Sequence, residues 1–329
     1  MHNIQELFAK FSKMKVGVIG DVMLDTYWWG RADRISPEAP VPVVTVNTKE
    51  KRIGGAGNVA LNLVSLGASV SLLSMIGDDQ DGQELVELLA KQKINHGYLL
   101  RSNNRITTNK IRIISRNQQM MRLDAEITKQ LEHDDEESMM KAVQDYLEKE
   151  RPDIVILEDY NKGVLTEQLI KHTLEICRRK NILVSVDPKR KNFFAFQYAD
   201  IFKPNLHEVK EALNIIEEKI TPEFLNQIHD DLKTKLHHQI SLITLSEKGV
   251  FFHDQHSGEI IPTHVRSVAD VSGAGDTVIA VASLVYAATR DVRLMAQISN
   301  IAGGLVCEEV GTAAINAKRL LQECEILLS

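Results

Sequence analysis

Short runs of apolar and β-branched residues alternate along the chain with segments in which apolar residues recur at helical spacing. The runs predict buried strands and the periodic segments predict helices, because the two structures differ in the spacing at which side chains share a face. We predict strands at 15–20, 69–77, 110–116 and the stretch after it, 153–159, 182–187, 199–205 and 241–246. We predict helices at 58–67, 83–92, 135–150, 166–180 (capped by Thr166), from 206 onward, at 275–288 and at 291–309.

This alternation predicts an α/β fold with a mostly parallel sheet that is covered by helices on both faces. Ligands of such sheets bind beyond the carboxyl ends of the strands. The polar residues that directly follow the predicted strands are Asp21, Asp25, Asp159, Asp187, Asn205, Ser246 and Glu247. One segment departs from the pattern: residues 37–55 are rich in proline and then alternate valine with polar residues, which predicts an edge strand or a flap.

Composition narrows the class of protein. The 329 residues are 43% hydrophobic, which is enough for one main domain. The formal net charge of -6 argues against a nucleic-acid binder but not against a small anionic substrate. The three widely spaced cysteines form no disulfide framework and suit the reducing cytoplasm, where we expect the protein to act. We see no signal peptide and no apolar stretch long enough to span a membrane.

A turn of small residues precedes the helix predicted at 275–288. Gly273 and Gly275 permit tight backbone geometry, and the first N–H groups of a helix bind anions. Asp276 would lie beside a bound phosphate, where it could take a proton from an attacking hydroxyl. The same residues also fit a plain helix N-cap, so the turn alone leaves both interpretations open.

Other nucleotide-binding motifs are missing. The P-loop pattern GxxxxGK[ST] is absent, and the glycine-rich stretch 52–58 follows a flap rather than the first strand. Its glycine spacing is also wrong for a dinucleotide-binding loop.

Three motifs, in this order, resemble the signatures of the ribokinase-like (PfkB) carbohydrate kinases. They are Gly54, Gly55 and Asn58; Asn205 and Glu208 of N-x-x-E; and Asp270, Gly273, Ala274, Gly275 and Asp276 of D-x-x-G-A-G-D. Their order and separation match over essentially the whole chain. The resemblance implies a single kinase domain over 1–329, with a three-layer α/β/α fold and a mostly parallel central sheet. It also implies a small β lid formed mainly by about 37–55 and parts of about 105–124.

Longer strings resemble one group within that family, the kinases of D-glycero-β-D-manno-heptose 7-phosphate. The strings are at 20–44, 108–124, 159–165, 187–189 and 203–208. The resemblance implies ATP-dependent phosphorylation of the anomeric hydroxyl to heptose 1,7-bisphosphate, in ADP-heptose and lipopolysaccharide precursor synthesis. Bifunctional members of the group add a nucleotidyltransferase domain. We see no H-x-G-H-type motif here and expect the kinase alone.

The resemblance also implies roles for matched residues. Asp276 would be the catalytic base, and the N–H groups of Gly273, Ala274 and Gly275 would form the anion hole. Asn205 and Glu208 would organise Mg²⁺ and the phosphates of ATP, through water where the family does so. Sugar hydroxyls would be bound by Asp21, Asp25, Gly54, Gly55 and Asn58.

Further implied roles concern the nucleotide, a monovalent cation and the lid. The nucleotide would contact Thr244, Ser246, Glu247, Gly249, Asn300 and Gly303. A loop for a monovalent cation such as K⁺ would consist of Asp270 and Ser272 with the backbone near Gly311 and Thr312. The lid would pair two subunits into a homodimer. No nucleic-acid or membrane partner is implied. The chain has Thr244-Leu245-Ser246 where the family often has Thr-x-Gly, which changes the phosphate contact there.

A phosphorylated sugar needs cations for its remote phosphate. The candidates are Arg34, Lys110, Arg112, Arg116, Arg122, Lys162 and Lys189, each of which also fits a solvated surface charge. Asp187 fits either a sugar or metal contact or a residue that ends a strand before Pro188. The aromatic residues at 27–29 fit packing better than stacking on a sugar, and no histidine pair has the spacing of a zinc site.

Two other functions remain open. A kinase of the same fold could act on another sugar or sugar phosphate, although a kinase of neutral sugars would not need the basic residues of 108–124. A sugar- or nucleotide-binding regulator without catalysis is a third reading, because fold alone does not fix function. Asp276, Asn205 and Glu208 argue against it.

Overall fold

The computed structural model describes residues 3–116, 118–217, 219–264 and 266–328. Its main sheet has nine strands in the order β13-β12-β11-β10-β9-β8-β1-β4-β5. The pairs from β5 to β11 are parallel, and the hairpin β12–β13 adds two antiparallel strands at one edge. These strands are β1 (Lys15–Gly20), β4 (Ser69–Gly77), β5 (Asn95–Ser102), β8 (Ile154–Glu158), β9 (Leu183–Asp187), β10 (Ile201–Phe202), β11 (Ile240–Thr244), β12 (Val250–His253) and β13 (Gly258–Ile261).

Helices cover both faces of this sheet. They are α1 (Ile4–Phe11), α2 (Ala56–Ser65), α3 (Gln80–Lys91), α4 (His133–Lys149), α5 (Glu167–Lys180), α6 (Leu206–Leu213), α7 (Pro222–Leu236), α8 (Ala274–Thr289), α9 (Val292–Val306) and α10 (Ala317–Leu327). Strand β8 illustrates how the core is divided. Ile154 and Ile156 belong to the apolar cluster that includes α2, α8 and α9, whereas Val155 and Leu157 belong to the cluster that includes α4, α5 and α7. Alternate residues of a strand thus fill opposite layers.

A second sheet of four strands continues directly from β1. Its order is β3-β2-β6-β7, with β2 (Val22–Ile35), β3 (Pro42–Gly55), β6 (Asn109–Ser115) and β7 (Gln118–Ala125). We call it the lid sheet. Its cross-strand register gives it two different faces. One face carries charged residues, in the rows Asp25–Lys110–Asp124 and Tyr27–Arg112–Arg122. The other is more apolar, in the rows Thr26–Ile111–Leu123 and Trp28–Ile113–Met121.

The predicted three-layer architecture with a mostly parallel sheet is confirmed. Thr166 caps α5 as predicted, since its side chain accepts a hydrogen bond from the N–H of Leu169. The strand predicted at 199–205 is wrong in extent, because only Ile201–Phe202 pairs with both neighbours before the chain turns into α6. The sequence analysis named no strand at β2, β5, β12 or β13 and no helix at α7 or α10.

Two further findings concern the whole chain. Cys177, Cys307 and Cys324 are free thiols. In the part of the chain that the structure describes, no helix combines the length and the apolar character needed to cross a membrane.

Candidate active site

Asp276 lies at the start of α8, in the place where the sequence predicted an anion site. Gly273 is the N-cap and has a φ of 80°, in the left-handed region that favours glycine. The Asp276 side chain is 3% exposed. Its Oδ2 accepts a hydrogen bond from Asn58 Nδ2 at 2.7 Å, and its Oδ1 accepts one from the Tyr160 hydroxyl at 2.6 Å. The carboxylate is therefore fixed from two sides.

The protonation of Asp276 reflects opposing influences. Burial raises its pKa above the ordinary value, and the charge of Asp187 acts in the same direction. The hydrogen bonds from Tyr160 and Asn58 and the nearby ammonium of Lys203 act to lower the pKa. A carboxylate with a raised pKa is a better proton acceptor than a solvated one, provided that it remains ionised.

The three turn amides differ in their surroundings. The Ala274 N–H donates to the carbonyl of Val271 at 3.3 Å, so it is partly turned away from a ligand. The N–H groups of Gly273 and Gly275 have no such acceptor among the described residues. An anion hole at this turn would therefore depend mainly on the amides of the two glycines.

Beneath the turn lies a buried group of charges that the sequence analysis missed in part. Lys203, 2% exposed, has its Nζ 2.8 Å from Asp187 Oδ2. Both side chains approach Gly275, at 3.5 and 3.8 Å from the position that a Cβ on this glycine would take. Glu158 completes the group: one oxygen each of Glu158, Asp187 and Asp276 lie within 4.8 Å of one another. Asp187 is thus held by a buried lysine, and its role in substrate binding stays a prediction.

The charged face of the lid sheet meets this site. Asp25 is buried and forms an ion pair with Arg112, whose guanidinium lies 5.4 Å from the ring centroid of Tyr27. A Cβ on Gly54 would lie 2.3 Å from Asp25 Oδ2, so only glycine allows β3 to pass this carboxylate. The structure therefore brings Asp25, Gly54 and Arg112 together, and their role in substrate binding stays a prediction.

Asp21 has a structural role beside the sugar-binding role that stays a prediction. Its Oδ1 accepts a hydrogen bond from the N–H of Val164, and its Oδ2 accepts from the N–H groups of Tyr160 and Lys162, at 2.9–3.0 Å. The side chain is 1% exposed, and both of its oxygens have backbone partners. Asp21 holds the loop after β8 in place, and that loop carries Tyr160.

Two lysines flank the ring of Tyr160. Lys110 Nζ lies 5.3 Å and Lys189 Nζ 5.6 Å from the ring centroid. Lys189 forms an ion pair with Glu208, whereas Lys110 has no carboxylate partner within the described residues. Burial lowers the pKa of Lys110, and the neighbouring charge of Lys162 lowers it further. An unpaired, half-buried ammonium is the kind of group that an anionic substrate would neutralise.

Asn205 and Glu208 form a capping box at the start of α6. The Asn205 side chain accepts from the N–H of Glu208, and Glu208 accepts from the N–H of Asn205, each at 2.8 Å. Because Glu208 also pairs with Lys189, its carboxylate already has partners at both oxygens. Glu208 thus helps to cap α6, in addition to its predicted role in binding a metal ion.

A cavity of about 670 Å³ opens on the other side of the glycine turn. It collects most of the residues predicted to hold the nucleotide, namely Thr244, Ser246, Glu247, Gly249, Gly275, Asn300 and Gly303. A neighbouring cavity of about 470 Å³ shares Thr244, Ser246 and Glu247 and extends to Asn205. The two cavities together reach from the start of α6 to α9.

The predicted cation loop is assembled, but it has an unexpected partner. The Asp270 carboxylate accepts from the N–H and hydroxyl of Ser272 and from the N–H of Gly311, at 2.8–3.0 Å. Arg52 of the lid sheet donates to the carbonyl oxygens of Val310 and Thr312 at 3.0 and 3.1 Å. A guanidinium thus contacts the same loop from which backbone ligands for a cation were expected.

Glu158, Tyr160 and Lys203 are the site residues that sequence reasoning missed. Glu158 and Lys203 looked like the polar ends of apolar runs. A signal was present for Tyr160 and Lys203, because they lie in the strings 159–165 and 203–208. Asp159 was predicted at the end of the same strand, and its carboxylate accepts a hydrogen bond from the N–H of Asn161. Burial raises the pKa of Asp159 to about 7.

Comparisons with known proteins agree with this geometry. The model of the pfkB family of carbohydrate kinases matches residues 13–319. The "Bifunctional protein HldE" of Aliarcobacter butzleri is 42% identical over 305 residues, which are 92% of this chain and 62% of that protein. The protein of the same name from Actinobacillus succinogenes is 40% identical over 95% of this chain and 64% of its own length. The chain thus spans less than two thirds of these relatives.

Solved structures share the fold at low sequence identity. Phosphofructokinase-2 from Escherichia coli in complex with potassium superimposes with a TM-score of 0.80 at 16% identity, over 96% of this chain and all of that one. Arabidopsis thaliana ribokinase complexed with ribose and ATP gives 0.72 at 17% identity, over 94% of this chain and 99% of that one.

Proposed function

The chain belongs to the pfkB family of carbohydrate kinases, and on that basis we propose that it phosphorylates D-glycero-β-D-manno-heptose 7-phosphate at the anomeric hydroxyl. The product would be heptose 1,7-bisphosphate, a precursor of ADP-heptose and lipopolysaccharide. The observation that carries the proposal is the setting of Asp276. This buried carboxylate lies between the charged face of the lid sheet and a cavity of about 670 Å³.

The transfer step follows from that setting. Asp276 takes the proton of the attacking hydroxyl while Asn58 and Tyr160 hold its carboxylate in place. The amides of Gly273 and Gly275 face the transferred phosphoryl group and stabilise its charge. Asp25 and Arg112 orient the sugar from the lid sheet, and the nucleotide occupies the large cavity.

The family uses ATP with a divalent metal ion, and we propose Mg²⁺. Glu208 fits a site that binds the metal through water, because both of its oxygens already have protein partners. A divalent ion held near the phosphates neutralises their charge. For a monovalent cation the fit is poorer, since Arg52 already donates to two carbonyl oxygens of the loop at 310–312. No step of the reaction is assigned to such an ion.

We also propose that the protein is a homodimer in which the lid sheets pair. The apolar face of the lid sheet supports this, because Met121 is 55% and Leu123 42% exposed in strand β7. Exposed apolar side chains grouped on one face of a sheet indicate a protein partner. The face lies on the opposite side from Asp25 and Arg112, so a second copy would leave the site open.

An acceptor panel with a coupled ADP assay tests the reaction. Heptose 7-phosphate should give the highest kcat/KM, above ribose, fructose phosphates, adenosine and unphosphorylated heptose. Faster turnover of an unphosphorylated sugar would overturn the substrate assignment and favour another PfkB-type kinase. Binding of sugar without ADP release would favour a regulator.

In the same assay, Asp276→Asn tests the catalytic base. Removal of a positioned base should lower kcat at least about 10²-fold, because asparagine cannot accept the hydroxyl proton. The affinity for ATP should change little, since the nucleotide cavity is unaltered. A near-normal kcat would contradict the role of Asp276.

A further inference from the structure

Three carboxylates and one ammonium meet beneath the glycine turn. Glu158, Asp187 and Asp276 are all at most 3% exposed, and their nearest oxygens lie within 4.8 Å of one another. Lys203 pairs with Asp187 alone, at 2.8 Å. If all four groups were charged, two negative charges would remain uncompensated inside the protein, at high cost in free energy. One carboxyl group must therefore be neutral or must hold a cation.

The hydrogen bonds indicate which group that is. Both oxygens of Asp276 accept hydrogen bonds, and Asp187 Oδ2 faces Lys203. Of the six oxygens of these three carboxyl groups, Glu158 Oε1, Glu158 Oε2 and Asp187 Oδ1 have no partner among the described residues. Two ionised carboxylates cannot satisfy each other, because both are acceptors only. A protonated one supplies the missing donor.

Strand geometry brings the two unpaired groups together. Glu158 ends β8 and Asp187 ends β9, and they are paired residues in parallel register. Their side chains therefore project on the same side of the sheet. On the other flank, Glu158 is paired with Gly20 of β1, which has no side chain. The lateral neighbour available to the Glu158 carboxyl group is Asp187.

We infer that Glu158 is a neutral carboxylic acid whose hydroxyl donates to Asp187 Oδ1. The proton holds Asp187 against Lys203 directly below Gly275. It also removes a negative charge from the surroundings of Asp276, so that Asp276 alone acts as the base. Glu158 is thus a positioning residue rather than a catalytic one. Its effect on Asp276 rests on the proposed kinase function, whereas the location of the proton does not.

The surrounding charges agree with this assignment. Burial raises the pKa of Glu158 well above the ordinary glutamate value of 4.5, and the charges of Asp187 on β9 and Asp276 on α8 raise it further. Lys203 and Lys189 oppose them but do not reverse the direction. A divalent cation is the competing explanation. It would have to bind Asp187 next to the ammonium of Lys203, which repels it.

The test compares Glu158→Gln with Glu158→Leu in the intact protein. Glutamine keeps a donor towards Asp187, whereas leucine leaves Asp187 Oδ1 unsatisfied. The infrared difference spectrum of the wild type minus each variant at neutral pH should contain the carbonyl stretch of a protonated carboxylic acid, which carboxylates lack. The contribution of Asp159, whose pKa of about 7 leaves it partly protonated in all three proteins, cancels in this difference. The kcat of Glu158→Gln should exceed that of Glu158→Leu, because only glutamine holds Asp187.

Urea unfolding at several pH values gives a second readout that needs no substrate. Above pH 4.5 the unfolded chain loses the Glu158 proton and the folded protein keeps it, so wild-type stability falls as the pH rises. The ratio of the wild-type unfolding constant to that of Glu158→Gln should rise about tenfold per pH unit above pH 4.5. The rise should end at the raised pKa of Glu158 in the folded protein. Below pH 4.5 the difference should be constant.

Other outcomes would overturn the assignment. One is a wild-type-minus-variant spectrum without the acid band, together with a pH-independent difference in stability between the wild type and Glu158→Gln. Another is thermal stabilisation by Mg²⁺ or Mn²⁺ alone that is present in the wild type and absent in Glu158→Gln, which would indicate a metal site. Both results could occur in an active heptose kinase, so they are distinguishable from failure of the proposed function.

Discussion

At the scale of single residues, Tyr160 connects the carboxylate of Asp276 with the lysines that flank its ring. Its hydroxyl donates to Asp276, and its ring is contacted by the ammonium groups of Lys110 and Lys189. Lys189 is already paired with Glu208. Lys110 is therefore the better candidate for contact with the remote phosphate of the sugar.

We predict that Lys110→Gln raises KM for heptose 7-phosphate about 10- to 100-fold, because a hydrogen bond to a charged group contributes about 1.5–3 kcal/mol. KM for ATP should be unchanged, since Lys110 lies on the lid sheet and not in the nucleotide cavity. Initial rates over a range of each substrate measure both constants.

Lys49→Gln is the matched control for this change. Lys49 belongs to the same sheet but pairs with Trp28, on the face away from Asp25, and its ammonium lies 4.6 Å from the centroid of the Trp28 ring. Its substitution should leave both KM values unchanged. A similar rise for both lysines, or a rise in KM for ATP with Lys110→Gln, would argue against a phosphate contact.

The sequence allowed Asp276 and Asn58 to be found because they belong to short motifs with fixed spacing. It gave no comparable motif for Glu158, and Lys203 was present only as the first residue of the string 203–208. Each stands beside an apolar run, where a charged residue usually marks the end of a buried strand. Only the register of β8 with β9 reveals that Glu158 and Asp187 face each other.

At the scale of elements, the start of α8 depends on the conformation of Gly273. Its φ of 80° is unfavourable for alanine, and a Cβ there would lie 2.8 Å from Asn58 Nδ2. We predict that Gly273→Ala lowers the free energy of unfolding by about 1–2 kcal/mol. It should also lower kcat, because displaced Asn58 no longer holds Asp276. Urea unfolding and initial rates measure the two effects.

Gly275→Ala is the control for stability. A Cβ at this position would make ordinary contacts of 3.5 Å with Lys203 and 3.8 Å with Asp187. The free energy of unfolding should therefore stay within about 0.5 kcal/mol of the wild-type value. Equal destabilisation by both substitutions would indicate that backbone strain at Gly273 is not the cause.

The sequence pattern predicted buried elements better than exposed ones. Strands β1, β4, β8 and β9 are short apolar runs covered on both faces, and each was placed within a residue or two. Strand β2 was missed because its later half is exposed and carries charged residues. The lid sheet forms by pairing of strands that include segments far apart in the sequence, and local periodicity does not reveal such pairing.

For the whole molecule, we predict that Leu123→Glu converts a homodimer into a monomer. A charge on the apolar face of the lid sheet would be buried without a partner in the dimer. Sedimentation velocity measures the change. Ile216→Glu is the control, since Ile216 is 94% exposed and lies after α6, outside the lid sheet. A wild-type protein that sediments as a monomer would contradict the proposed dimer.

Strand β3 joins distant parts of the protein through Arg52. The same strand ends in Gly54 and Gly55 beside Asp25, while Arg52 holds the carbonyl groups at 310 and 312, next to α9. A lid that opens must release these hydrogen bonds, so lid and loop change conformation together. If the two conformations bind a substrate with different affinity, occupancy on one side biases the other, and thermodynamic reciprocity makes the two effects equal. The factor by which bound sugar phosphate tightens ATP equals the factor by which ATP tightens sugar phosphate.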